Sequence, residues 1–217
     1  KANREWQGRL ANATNSPIHH AWLGIKRLDI IWFVLLMVCL GILLRYETSA
    51  GRRAEPPAVW PEHVELKPGR RHTLLLFIHP GCPCTRASLR QLERLTARDW
   101  PGLKTYAVFS SPVGVDPNFH ETDLWELANS VPRVTALVDR EGRLSRNFGC
   151  FTSGQALLYG EDYRLQFSGG VTDSRGHEGD SVGLDAIKKH LKNEKGPDDA
   201  LVFGCPLFSE GATFCHQ

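Results

Sequence analysis

The junction between an apolar run and two closely spaced cysteines most constrains the fold of this chain. Residues 73–78 read TLLLFI, the run stops at Pro80-Gly81, and Cys82-Pro83-Cys84 follows. Apolar residues then recur at positions 89, 92 and 95, which is the spacing of one helical face. The pattern predicts a buried strand, a tight turn and a helix that begins at the cysteines. The free N–H groups and positive dipole of a helix N-terminus lower the pKa of a thiol and favour the nucleophilic thiolate.

Beyond this junction, strand and helix patterns alternate and then give way to a hairpin and a final helix. We predict strands at 74–78, 103–109 and 134–138, helices at 85–98 and 122–130, a turn at 139–142, hairpin strands at 156–159 and 165–167, and a helix at 181–192. This order predicts an α/β domain over 70–195, with a central mixed sheet flanked by helices.

An uncharged apolar run, residues 30–44, precedes this domain. At helical rise its length is ~22 Å, short of the ~30 Å hydrocarbon core of a bilayer. With residues 28, 29, 45 and 46 as interfacial ends, it is predicted to be a single transmembrane helix over 28–46. A signal-peptide core and a buried helix are the alternatives. The preceding polar segment is long for a signal peptide, and a core helix would normally show a polar face.

The remaining segments complete the predicted organisation. We expect a polar segment at 1–27, an extended linker rich in Pro and Arg at 47–69, and a tail at 196–217. Basic residues are equally frequent on the two sides of the apolar run, so charge does not orient it. Paired thiols suit an oxidising compartment, so we expect a bacterial inner-membrane protein whose C-terminal domain lies in the periplasm. The bilayer is then one partner, whereas a net charge of +2 gives no electrostatic case for nucleic acid.

The element order, with cysteines after the first long strand, resembles the thioredoxin fold over residues 64–193, particularly membrane-anchored thiol-disulfide proteins of the TlpA and ResA kind. The stretches HPGCPCTRASL (79–89), FGCFTSGQALLY (148–159), FSGGVTDSRGHEGD (167–180) and FGCPLF (203–208) resemble RedB-like thioredoxin-domain proteins. The resemblance implies a thiol-disulfide oxidoreductase that acts on the thiols of partner proteins. Cys82 would be the exposed attacking thiol and Cys84 the resolving thiol.

The spacing of the two cysteines departs from the thioredoxin pattern. Thioredoxin-type motifs have two residues between the cysteines, whereas this chain has only Pro83. Such a pair can close a disulfide, but the small ring is strained and the bond is therefore easier to reduce. The alternatives are a permanent disulfide or two idle thiols in a degenerate domain.

A thioredoxin-type site also has a cis-proline loop that faces the cysteines and presents backbone to the substrate. Residues 131–132 and residues 152–154 are the two candidates. We choose the second, because this loop directly precedes the terminal hairpin and helix. Thr152 and Ser153 are then predicted to lie on the substrate-binding face. Ser153 takes the place of the proline, and because cis bonds before other residues are rare, the standard exchange mechanism is weakened.

The glycine-rich loop 169–180 is the next candidate, because it leaves a strand whose end lies at the cysteine edge. With Ser153, this loop and its His177 are predicted to shape the substrate-binding face. His177 would act on Cys82 as a base, or join Cys82 and Cys84 in binding copper(I), which suits two thiolates and an imidazole. That set is similar to the Sco copper chaperones, which have three residues between their cysteines. The alternative is a solvated loop in which Asp173 and Arg175 cap the following helix; no cofactor is then expected.

The other cysteines have simpler interpretations. Cys150 is predicted to be a small buried hydrophobe, and Cys205 and Cys215 to form a disulfide that staples the tail. Three functions stay open at this point: a membrane-anchored thiol-disulfide oxidoreductase, a copper metallochaperone, and a catalytically degenerate subunit that docks on a larger membrane complex.

Overall fold

A computed structural model describes residues 17–208 of the 217-residue chain, with side chains from residue 27 onward. The chain divides into two compact units, Lys1–Tyr46 and Glu47–Gln217. Helix α1, Pro17–Thr48, contains an apolar stretch, Arg27–Thr48, that is long and apolar enough to cross a membrane. None of this stretch is buried, which argues against a core helix and agrees with the predicted span at 28–46. A signal sequence would meet the same criteria of length and composition.

The second unit is built on a five-stranded sheet. Its strands are β1 His72–Ile78, β2 Leu103–Ser111, β3 Val134–Arg140, β4 Gln155–Tyr159 and β5 Leu165–Gly170, in the order β3-β2-β1-β4-β5. β1, β2 and β3 are parallel, while β4 is antiparallel to β1 and β5 is antiparallel to β4. All seven residues of β1 are buried, as expected for a central strand that is covered on both faces.

Helices cover both faces of the sheet. They are α2 Thr85–Thr96, α3 Asp123–Ser130, α4 Arg143–Asn147 and α5 Val182–Leu191. α2, α3 and α5 pack over one apolar cluster that includes Leu89 and Ile187, and the opposite face buries a second cluster around Phe148 and Tyr159. A strand–helix–strand unit whose helix follows the central strand, completed by an antiparallel hairpin and a last helix, is a thioredoxin-like fold. The predicted fold class is confirmed.

Helix α4 was not predicted, because five residues are too few to show a helical period. Its position is set by Asp139, a buried residue at the end of β3. The Asp139 carboxylate accepts hydrogen bonds from the N–H groups of Leu144 and Ser145 at 2.7 and 2.9 Å, and from the Ser145 hydroxyl at 2.6 Å. A buried carboxylate therefore satisfies the free N–H groups at the start of α4.

The segment 47–69 is not the free linker that its composition indicated. The Glu55 N–H donates to the Gly149 carbonyl at 2.9 Å, and the Trp60 ring packs edge-on against Phe148 and Tyr159, with centroids 5.0 and 5.2 Å apart. Prolines favour an extended backbone that needs few donors, so a proline-rich segment can lie flat on a domain as readily as it can span solvent. The tail also packs on the domain, since Val202, Phe203 and Leu207 are buried in it.

Candidate active site

The cysteine turn lies at the end of the central strand. The Cys82 N–H donates to the His79 carbonyl at 3.0 Å, and the Thr85 N–H donates to the Cys82 carbonyl at 3.1 Å. Pro83 is the second residue of the turn closed by this Cys82–Thr85 bond, a position that favours proline because its ring fixes φ. Cys84 is the N-cap residue of α2. Both thiols therefore lie at a helix N-terminus, where the dipole favours a thiolate.

Cys82 is fully buried, although the resemblance implied an exposed attacking thiol. The covering group is Cys205, whose backbone N–H donates to the Cys82 sulfur at 3.4 Å. Hydrogen bonds from the Cys205 thiol, and then from Thr85, the Cys205 backbone and Ser153, outweigh burial and lower the pKa of Cys82 to about 4. The donors around Cys82 therefore favour its thiolate form in spite of its burial.

Cys205 is the other half of this contact. Its hydrogen bond to Cys82 raises the pKa of Cys205 well above that of an ordinary thiol, and burial and the charges of Cys82 and Cys84 act in the same direction. The contact therefore favours the proton on Cys205 and the negative charge on Cys82. Unlike Cys82, it is partly exposed.

Cys84 lies beside this pair and is nearly buried. Burial, followed by the negative charge of Cys82, raises the pKa of Cys84, while a hydrogen bond and positive charge from Arg175 oppose that rise. Arg175 comes from the glycine-rich loop, and its backbone N–H binds the Glu47 carbonyl at 3.2 Å. The loop thus reaches the thiols as predicted, but through Arg175 rather than through His177.

Ser153 lies against the cysteine turn, as the choice of the 152–154 loop requires. Its hydroxyl accepts the His79 N–H at 2.8 Å and lies 2.7 Å from the Thr85 hydroxyl. Every peptide bond within the described part of the chain is trans, so the loop reaches the thiols without the cis geometry of the thioredoxin pattern. Thr152 is also buried, and its hydroxyl donates to the Arg52 carbonyl at 2.9 Å.

His177 is exposed, and its backbone N–H donates to the Ser174 carbonyl at 3.3 Å. Within residues 27–208, no three His, Cys, Asp or Glu side chains come together as a metal site requires. The structure therefore does not gather Cys82, Cys84 and His177 into one group, and copper binding stays a prediction. The capping alternative holds for Asp173, whose carboxylate accepts the N–H of Val182 at the start of α5.

Two other residues near the site have structural roles. Cys150 is buried in the second apolar cluster, and burial followed by the charge of Asp139 raises its pKa well above the ordinary value. His79 accepts the Gly81 N–H on Nδ1 at 3.1 Å, and burial lowers its pKa although the Cys82 thiolate opposes that change. Cys215 lies outside the described residues, so its disulfide with Cys205 stays a prediction.

Sequence reasoning missed the roles of Cys205, Thr85 and Arg175. One signal was present: Gly204-Cys205-Pro206 repeats the order Gly81-Cys82-Pro83 of the turn. That repeat does not by itself reveal a contact between the two stretches.

No protein-family model matches the chain, and no curated protein matches it. Among solved structures, an uncharacterized conserved protein from Geobacillus kaustophilus is similar with a TM-score of 0.54 and 19% identity, covering 76% of this chain and 95% of that one. A hypothetical protein from Sinorhizobium meliloti has a TM-score of 0.53 and 20% identity, covering 75% and 96%. A secreted disulfide oxidoreductase from Mycobacterium tuberculosis has a TM-score of 0.40 and 14% identity, covering 57% and 81%. For the first two structures, likeness at 19% and 20% identity concerns the fold alone.

Proposed function

We propose that this protein is a thiol-disulfide oxidoreductase in which Cys82 is the nucleophile. The observation that carries the proposal is the position of Cys82 at the N-terminus of α2, where the Cys205 N–H donates to its sulfur at 3.4 Å and the Ser153 hydroxyl lies against the same turn. These donors lower the pKa of Cys82 and favour its thiolate. A thiolate at neutral pH is the reactive form of cysteine, and a low pKa also makes it a good leaving group.

The exchange requires no group beyond the thiols. The Cys82 thiolate attacks one sulfur of a substrate disulfide, that bond breaks, and the other substrate sulfur leaves as a thiolate. The Cys84 thiol then loses its proton and attacks the Cys82 sulfur, which releases the second substrate thiolate and forms a Cys82–Cys84 disulfide. Arg175 assists this step, because its positive charge stabilises the Cys84 thiolate. All steps are reversible.

The stabilised thiolate bears on the direction of exchange. Hydrogen bonds to the Cys82 thiolate stabilise the reduced protein, and a protein whose reduced form is stabilised is an oxidant. Strain in the short Cys82–Cys84 ring acts in the same direction. We therefore propose cysteine thiols of partner proteins as the substrates that the disulfide form oxidises.

The length and composition of α1 support a membrane anchor for the domain. We propose that Arg27–Thr48 spans the inner membrane and that the domain lies on its periplasmic side, an oxidising compartment in which disulfides form. The finer assignment to the RedB-like proteins is supported by the stretches around Cys82, Ser153 and Arg175, all of which contribute to the site.

An exchange assay on the full chain in detergent tests the proposal. The wild-type protein should catalyse insulin reduction by dithiothreitol or, in the reverse direction, oxidation of a reduced cysteine peptide. Cys82→Ser should abolish both reactions. Cys39→Ser, a matched change in the apolar helix, should leave them intact. Inactivity of the wild type in both directions, over a range of redox buffers, would overturn the proposal.

A further inference from the structure

We propose that Cys205 is a third redox thiol of this site, and that Cys82 and Cys205 form a disulfide which fastens the tail of the chain across the active site. This inference rests on the proposed function, and the substrate disulfide that drives it is the one that returns the reduced site to its disulfide form, before that form oxidises partner thiols. It adds a resolving thiol that is distant in sequence from the Cys82-Pro83-Cys84 turn.

The tail is held over the site by strand-like pairing with the loop that precedes β4. The Ser153 N–H donates to the Cys205 carbonyl at 2.8 Å, and the Leu207 N–H donates to the Phe151 carbonyl at 2.8 Å. Thr152 and Pro206 form the antiparallel bridge between these two bonds. The register is therefore defined, and it places Cys205 opposite Ser153.

Gly204 permits this close approach. A Cβ atom at position 204 would lie 1.9 Å from the Ser153 carbonyl oxygen, so any larger residue would push the tail away from the loop. Buried side chains on both sides of Cys205, Phe203 and Leu207, anchor the same segment. The tail is thus an integral cover of the site.

This pairing brings Cys205 into contact with the reactive sulfur. The Cys205 backbone nitrogen lies 3.4 Å from the Cys82 sulfur and donates its N–H to it. The Cys205 side chain is also the largest cause of the lowered pKa of Cys82, which places the two thiols side by side. Cys82 is buried while Cys205 is partly exposed, so Cys205 lies between Cys82 and solvent. A thiol that already contacts the thiolate needs little movement to bond to it.

The position of the tail also indicates the substrate class. Segment 205–207 uses the backbone groups of 151–153 as an added strand would. An extended peptide that brings its own cysteine to Cys82 would pair in the same way, as in strand-addition complexes. The tail therefore occupies the place of an extended cysteine-containing peptide, and such a substrate has to displace it.

The resolving step balances without another reactant. The Cys82 thiolate attacks a substrate disulfide, forming a mixed disulfide and releasing one substrate thiolate. The Cys205 thiol then gives its proton to solvent, and its sulfur attacks the Cys82 sulfur and expels the second substrate thiolate. The substrate disulfide gains two electrons, and the Cys82 and Cys205 sulfurs lose them. Bonding of Cys82 also removes the negative charge that keeps Cys205 protonated, which favours this order of steps.

Peptide mapping of the full chain tests the link directly. The reduced protein in detergent is oxidised with diamide, which needs no enzymatic activity, then blocked with N-ethylmaleimide and digested with trypsin. Cleavage yields one peptide, 72–86, with Cys82 and Cys84, and another, 196–217, with Cys205 and Cys215. In the double variant Cys84→Ser, Cys215→Ser, only Cys82 and Cys205 can join the two peptides. We expect the linked pair in this variant, and its loss when Cys205→Ser is added.

Maleimide-blocked Cys82 and Cys205 without a link would overturn the inference. If the double variant does not fold, fragment spectra of the linked wild-type peptides locate the bond instead. The exchange assay separates the two proposals. A wild type without exchange activity refutes the proposed function, while the diamide link still decides the role of Cys205. Catalysed exchange without a Cys82–Cys205 link refutes this inference alone.

Discussion

The Cys82 thiolate should persist into the acidic range, and the thiol of Cys205 should be one of the groups that keep it there. The pKa of Cys82 is lowered to about 4, with the Cys205 side-chain hydrogen bond as the largest cause. Cys205→Ala removes that donor but retains the backbone N–H that lies 3.4 Å from the sulfur. Cys205→Ser is the matched control, because its hydroxyl can still donate.

The size of the effect follows from the energy of one charge-assisted hydrogen bond. Such a bond contributes ~1.5–3 kcal/mol, and one pH unit corresponds to about 1.4 kcal/mol. Cys205→Ala should therefore raise the titration midpoint of Cys82 by ~1–2 pH units. The midpoint of Cys205→Ser should stay closer to that of the parent protein.

The ultraviolet absorbance of the thiolate, followed against pH, measures this midpoint. The titration is best done in a Cys84→Ser background, with the Cys82→Ser variant subtracted to remove the remaining thiols. A parent midpoint near the ordinary thiol value, or equal shifts in the Ala and Ser variants, would refute the reasoning.

The same titration predicts how stability depends on pH. The folded pKa of Cys82 lies below its ordinary value of 9.0, so the folded state favours the charged form. The contribution of Cys82 to the unfolding free energy is then complete above pH 9 and is lost as the pH falls towards about 4. Cys205→Ala should reduce the pH dependence of the denaturation midpoint between these limits, and an unchanged dependence would contradict the assignment.

Three further positions test the frame around the site, the first two by chemical denaturation and the third by the rate of thiol alkylation. Trp60→Ala should cost ~3 kcal/mol, the lower end for such a change, because the ring is only partly buried against its apolar cluster. A neutral result would show that segment 47–69 does not stabilise the domain. Asp139→Ala should cost ~2–4 kcal/mol because it leaves the N–H groups of Leu144 and Ser145 without an acceptor. Asp139→Asn, which retains an acceptor oxygen, should cost less, and equal losses would exclude this cause. Gly204→Ala should push the tail away from the Ser153 carbonyl. A tail destabilised by ~1.4 kcal/mol opens about tenfold more often, so alkylation of the Cys82 thiol should become ~10-fold faster. An unchanged rate would show that the tail does not control access to this thiol.

Local sequence determined much of the fold. The apolar run before Pro80 is long enough for a strand buried on both faces, and the glycine and prolines that follow allow only a tight turn into a helix. The hairpin of β4 and β5 and the helix α5 are likewise specified by turn residues and by periodicity. These features depend on contacts between residues a few positions apart, which a pattern records directly.

The state of the thiols was decided only by the tertiary structure. Cys82 and Cys205 are 123 residues apart, and the hydrogen bond between them exists because the tail pairs with the Ser153 loop. That pairing depends on backbone groups left free by other elements and on space that only glycine allows at position 204. Sequence periodicity reports contacts between nearby residues and therefore cannot predict this pairing of the tail with the Ser153 loop. The sequence alone therefore located the cysteines at the edge of a thioredoxin-like sheet, whereas burial, hydrogen bonding and the third thiol follow from packing between distant segments.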